Sequence, residues 1–176
     1  CVEKDDKWGF IDKNGKVVVE PQFDDAEPFS EGLAKVEKDG KWGFIDKSGK
    51  VVIEPQFDEE PEKGGLSAFS EGLAQVCKDG KWGFIHKSGK VVIEPQFDDV
   101  GNFSEGFARV EKDGKWGFID KSGKVVIELQ FDDAGDFSEG FARVEKDGKW
   151  GFIDKSGKMV IEPQFDGASD FSEGLA

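Results

Sequence analysis

Along this chain apolar and polar residues alternate over short stretches, and each stretch ends within a few residues at a glycine. The string from Lys115 to Gly148, KWGFIDKSGKVVIELQFDDAGDFSEGFARVEKDG, shows the pattern. Trp116 and Phe118 share one face of an extended segment and Ile119 takes the other, because successive side chains of a strand point to opposite sides. Val125 and Ile127 share a face that Val126 opposes, and Ala108 with Val110 opposes Phe107. A period of two predicts strands. β-Branched and aromatic runs with a glycine every few residues disfavour helix. Asp147-Gly148 and Asp154-Lys155-Ser156-Gly157 place glycine where a hairpin needs positive φ. The strands around them read FARVEK, KWGFID and KMVIE; Pro163 is read as the end of the third, since proline cannot donate to a central ladder. QFDGASDFSEG connects to the next unit, with a short irregular strand at QF. The expectation is a three-stranded antiparallel meander.

The meander repeats. Trp8, Trp42, Trp82, Trp116 and Trp150 are spaced 34, 40, 34 and 34 residues apart, and glycine follows each. The single long spacing comes from an insertion at about 58–69, where DEEPEKGGLSA replaces the shorter DDAEP of the first copy; its charge and glycines mark a surface loop. Both faces of each small sheet carry apolar residues, so each needs a neighbour on both sides. Stacking meets that need, radially in a propeller or linearly in a solenoid. Joining FSEGLA at the end to CVEKDDKWGF at the start reproduces the interior FSEGLAKVEKDGKWGF. The fold class is therefore all-β, with five tandem repeats of about 34 residues in a single domain over 1–176. The repeats are permuted so that residues 171–176 and 1–6 complete one unit. The favoured architecture is a propeller-like closed toroid. An open β-solenoid, as a segment of a longer array, and a head-to-tail fibre are the alternatives.

Charge narrows the function. Against 24 Lys and Arg stand 38 Asp and Glu, a formal charge of −14. Phosphate contacts dominate nucleic-acid affinity, so no nucleic-acid partner is expected. No apolar stretch is long enough to span a membrane, no insertion is expected, and no signal peptide stands in the chain. Two cysteines and one histidine leave little material for a disulfide framework, a histidine metal site or a triad.

The strings KWGFIDKSGKVVIEPQFD and FSEGLAKV resemble the bacterial WG-repeat family, in five copies over essentially the whole chain. Leu129 replaces the proline of PQF, Met159 a valine, and Asp6 a turn glycine. The resemblance implies a bacterial β-repeat module, often in tandem and in multidomain or surface-associated proteins. It implies interaction or scaffolding rather than a reaction.

Candidate chemistry is sparse. The five tryptophans suit either an aromatic platform for a sugar or peptide, or core packing of equivalent units, and their repetition favours packing. The candidate interaction surface comprises Asp58, Glu59, Glu60, Glu62, Asp98, Asp99, Asp132, Asp133 and Asp136, in connectors that radial closure would align on one rim. That rim would favour basic partners. It lacks the ordered spacing and central glycine of a calcium loop, so no metal or other cofactor is expected. Cys77 and His86 stand where other copies have Glu and Asp. A hairpin at Asp79-Gly80 sets them too far apart for a nucleophile pair, among positions read as surface charge. Cys1 would suit a lipid-anchored envelope protein after removal of a signal peptide, but it falls inside a strand with no tether. Localisation, in the cytoplasm or at the envelope, stays open. The expected role is a non-enzymatic structural or protein-interaction scaffold whose partners are proteins or copies of itself. The alternatives are a glycan- or peptidoglycan-binding envelope module and a filament subunit joined through its terminal strands.

Overall fold

A computed structural model describes residues 1–58 and 69–176, and every regular element among them is a strand. The chain is all-β, built of five tandem repeats of small antiparallel sheets. Three sheets have four strands: Asp25–Ala26, Leu33–Lys38, Lys41–Asp46 and Val51–Phe57; Asp99–Val100, Phe107–Lys112, Lys115–Asp120 and Val125–Phe131; and Asp133–Ala134, Phe141–Lys146, Lys149–Asp154 and Met159–Phe165. Val2–Lys4, Lys7–Ile11 and Val17–Phe23 form a three-stranded sheet, as do Leu73–Lys78, Lys81–His86 and Val91–Phe97. The chain divides into two units, Cys1–Gly80 with Phe84–Val91, and Lys81–Gly83 with Val92–Ala176. Closure into a toroid is not shown by the structure.

Within a repeat the meander forms as its turns dictate. Asp147 and Gly148 have φ of 52° and 74°, the pair of positive values that matches a tight turn to strand twist. In the first repeat Asp6 replaces the glycine and still adopts φ of 56°, a conformation aspartate tolerates better than most residues.

Three features differ from expectation. The third strand does not stop at proline but runs through it to the phenylalanine of QF. Trp150 pairs with Phe165 and Phe152 with Ile161, so the third strand carries extra residues between these rungs and bulges. Pro163 sits in that bulge on the sheet's edge strand, where a missing N–H costs no ladder bond. The bulge also explains the glycine after tryptophan: a Cβ on Gly43 would lie 2.5 Å from the Ile53 carbonyl oxygen and 2.7 Å from Pro55 N. Next, the connector closes with a further tight hairpin. Glu139 and Gly140 have φ of 53° and 87°, and Ser138 and Phe141 exchange backbone hydrogen bonds of 2.9 and 3.0 Å. Finally, two connector residues add a fourth strand in three repeats; Asp133 pairs with Glu145 and Ala134 with Val144.

Core formation happens between repeats. In unit 1, Phe10, Val19 and Phe23 of the first repeat cluster with Ala34, Val36 and Ile45 of the second. Trp42, Phe44, Ile53 and Phe57 meet Ala74, Val76 and Ile85 in the same way. In unit 2, Trp116, Phe118, Ile127 and Phe131 meet Ala142, Val144 and Ile153. Each repeat thus has a trailing face of aromatics and a leading face of Ala, Val and Ile.

Candidate interaction surfaces

The carboxylates singled out from sequence take up repeated structural posts. Asp58, Asp98 and Asp132 pair with Lys41, Lys81 and Lys115, the first residue of a second strand 17 residues earlier. Their other oxygens accept the backbone N–H of Asp79, Asp113 and Asp147 at 3.1, 2.9 and 2.8 Å, each in the next hairpin. One carboxylate therefore ties a strand start to the following turn. Lysine and then the turn amide hold the Asp132 carboxyl below its ordinary value near 3.8. Asp58 is lowered by Lys41 first.

The second aspartate of the pair acts locally: Asp99 accepts from Val100 N at 2.8 Å and Asp133 from Ala134 N at 2.7 Å. Asp136 is half-buried, with Arg109 Nε 3.1 Å away, and burial pushes its carboxyl up while Arg109 partly offsets this. Arg109 also lies over the Trp116 ring at 4.9 Å and donates to the Ala134 carbonyl. Arg143 repeats the arrangement with Trp150, Ala168 and Asp170. In unit 1, Lys35 sits 3.8 Å over Trp42 and pairs with Glu27. Glu59, Glu60 and Glu62, and with them most of the insertion, lie outside the described residues. Within each unit the described carboxylates serve successive connectors. Among the described residues no group of three or more His, Cys, Asp or Glu is placed to hold a metal ion.

Two other expectations can be placed. Trp42, Trp82 and Trp116 are buried, so their indoles are packing material and offer no platform. Cys77 is fully buried rather than at a surface-charge position, whereas His86 is exposed, its Nδ1 3.0 Å from Ser88 Oγ. Cysteine takes this place because it is small and apolar beside the charged residues of other copies.

Sequence reasoning did not single out a hollow on the trailing face of the last repeat. It measures about 450 Å³ and is lined by Phe152, Ile161, Phe165, Ala168, Phe171 and Leu175. Phe165 is 44% exposed, while its equivalents Phe57 and Phe131 are each 3%. The ring contact of Phe152 with Phe171, 4.8 Å between centroids, matches that of Phe118 with Phe137 at 4.9 Å, so the face is already formed. At the other end, Ile11 on the leading face of the first repeat is 44% exposed; Ile45, Ile85, Ile119 and Ile153 are all 0%.

Among solved structures, the chain is similar to the computationally designed Ika4 protein, with 16% identity, a TM-score of 0.46, and 72% of this chain and 87% of that one covered. It is similar also to a streptogramin B lyase, with 16% identity and a TM-score of 0.43 over 79% of this chain; it spans about half of the lyase (53%). Neither likeness bears on function. No curated protein matches the chain. A family model described as "WG containing repeat" matches residues 8–42, 42–82, 82–116, 116–150 and 150–176. With the glycine after tryptophan seated against the bulged strand in each copy, the chain belongs to the WG containing repeat family.

Proposed function

We propose that this chain is a non-enzymatic scaffold that works through protein contacts made by the outer faces of its repeats. The observation that carries the reading is the preformed apolar hollow on the last repeat, whose counterparts inside each unit are filled by protein. Structural use of the chemistry-bearing groups supports it: lysines and aspartates serve the same strand-to-turn bonds from copy to copy, and Arg109 and Arg143 hold the same connector carbonyl and aspartate. The formal charge of −14 sets the long-range preference, drawing basic partners and repelling polyanions.

An apolar fluorescent dye tests the reading in dilute solution. The folded chain should enhance dye emission, and Phe165→Glu should remove most of that enhancement while leaving the β-sheet circular dichroism unchanged. Equal emission from both proteins, or none from either, would overturn it.

A further inference from the structure

We infer a modification site in the hairpin turn Asp12-Lys13-Asn14-Gly15-Lys16: Asn14 deamidates against the Gly15 nitrogen, at a rate set by the opening of that turn. This goes beyond the scaffold reading and does not depend on it. The chemistry is intramolecular. The backbone nitrogen of Gly15 attacks Cγ of Asn14, and the new N–Cγ bond closes a succinimide ring. The Cγ–Nδ2 bond breaks, and the amide nitrogen leaves as ammonia with the proton that Gly15 N gives up. Water then opens the ring at either carbonyl, leaving aspartate or, with the main chain now running through Cβ and Cγ, isoaspartate. Water is the only co-reactant. Glycine suits the attack because no side chain of its own screens its nitrogen.

Sister copies of the turn show why this one reacts. They read DKSGK at 46–50, 120–124 and 154–158. Ser48, Ser122 and Ser156 donate from Oγ to Asp46, Asp120 and Asp154 at 2.6, 2.5 and 2.6 Å, and a hydroxyl offers the next nitrogen no carbonyl to attack. Asn14 brings a carbonyl carbon instead. Its carboxamide makes no hydrogen bond among the described residues, so it is free to swing toward Gly15 N. Asn14 is exposed, and so are Ser48 and Ser156. Those two turns rest on a preceding repeat, where a Cβ on Gly49 would lie 2.8 Å from Val19 and one on Gly157 3.2 Å from Ile127. Exposure therefore belongs to this turn position in every setting, covered or not.

The closed turn restrains the reaction. Asp12 Oδ1 accepts the N–H groups of Asn14 and Lys16 at 2.8 and 3.0 Å. Gly15 N donates to the Asp12 carbonyl at 3.0 Å, and Asp12 N to the Lys16 carbonyl at 2.9 Å. Asn14 keeps a negative φ while Gly15 turns to 79°, the three-residue loop with a glycine bulge. The attacking nitrogen is thus committed to the Asp12 carbonyl and must leave it first. Reaction proceeds from the opened turn, a local event far less costly than global unfolding. Isoaspartate adds one atom to the main chain between Asp12 and Lys16, and one negative charge. The two backbone bonds across the loop then lose their present register, and Lys7–Ile11 and Val17–Phe23 lose the turn that joins them. Asn14 keeps an irreversible record of the time this hairpin has spent open.

Mass-spectrometric peptide mapping of the intact chain, sampled over weeks in mildly alkaline buffer, tests this. Asn14 should convert to a mixture of aspartate and isoaspartate, which chromatography separates. Asn102, followed by the bulky Phe103, should keep its amide in the same samples. Asp12→Ala removes both carboxylate bonds and should speed conversion several-fold while the β-sheet circular dichroism is retained. The chain unfolded in urea should convert faster still, and Asn14→Ser, the residue of the sister copies, should leave the turn chemically stable. An Asn14 that survives in the folded chain while converting in urea would overturn the site. Equal rates in folded wild type, Asp12→Ala and urea would overturn the control by the turn. Neither outcome touches dye binding, so the scaffold reading stands or falls separately.

Discussion

Val125–Phe131 and Met159–Phe165 are nearly the same strand, VVIELQF and MVIEPQF, in the same place of successive sheets. Both pair with their tryptophan strand through the same register and bulge. Yet Ile127 and Phe131 are buried, while Ile161 is partly exposed and Phe165 open. Sheet geometry is therefore a property of the single repeat, and burial is a property of the pair. A WG repeat makes its own strands and turns but borrows half of its core from its neighbour, the nearest-neighbour energetics expected of stacked repeats.

The sharpest way to break this comparison is to truncate the two phenylalanines. Phe131→Ala empties a filled inter-repeat core and should cost about 3–5 kcal/mol. Phe165→Ala removes little beyond its cross-strand contact with Trp150, worth about 1 kcal/mol or less. Urea unfolding at concentrations where the chain is monomeric measures both. Equal losses would mean that the last repeat is stabilised without a neighbour, contrary to its exposure.

What could be read from sequence follows the same division. Strand positions, the Asp-Gly turns and the two apolar faces of Trp116, Phe118 and Ile119 are local patterns, and the structure has them where period and glycine placed them. Pro163 misled because its rule concerns central ladders, whereas an edge strand with a bulge accommodates it. The Ser-Glu-Gly hairpin was hidden because its first positive-φ residue is glutamate, an uncommon occupant of that conformation. The Asp132–Lys115 tie joins positions 17 residues apart, beyond any periodic pattern. The acidic stretches consequently looked like a free rim, when Asp58, Asp98 and Asp132 are each bound to a lysine and a turn amide. Cys77 departed from the copy pattern, and only packing reveals that its position admits full burial.

A second pair of substitutions sharpens the claim that geometry belongs to the single repeat. A Cβ on Gly117 would lie 2.6 Å from the Ile127 carbonyl oxygen, and one on Gly151 2.4 Å from that of Ile161. Neither backbone atom can step aside without reshaping the bulge. Gly117→Ala and Gly151→Ala should therefore each cost about 1–3 kcal/mol, alike in a covered and an uncovered repeat. Calorimetric melting of the two variants settles it. A tolerated Gly151→Ala beside a damaging Gly117→Ala would show that the neighbour, and not the repeat, imposes the bulge.

The smallest effect lies in the carboxylate ties, where the two regions differ by one hydrogen bond. Asp132 holds Lys115 and also the Asp147 amide of the next hairpin; Asp166 holds Lys149 but is 94% exposed. Asp132→Asn should thus lower stability at neutral pH more than Asp166→Asn. The pH dependence has a definite sign. The folded-state pKa of Asp132 lies below its ordinary value near 3.8, so the unfolded chain binds the proton more readily. Its contribution is fully present above that value and is lost as pH falls through the lower folded pKa. Asp24, held by Lys7 and then by the Asp39 amide, and Asp58 shift in the same direction and add to the loss. Melting temperature should fall on acidification below about pH 4, less steeply in Asp132→Asn because that variant has one such carboxylate fewer to protonate. An acid limb equally steep in wild type and Asp132→Asn would show that this carboxylate does not fasten one repeat to the next.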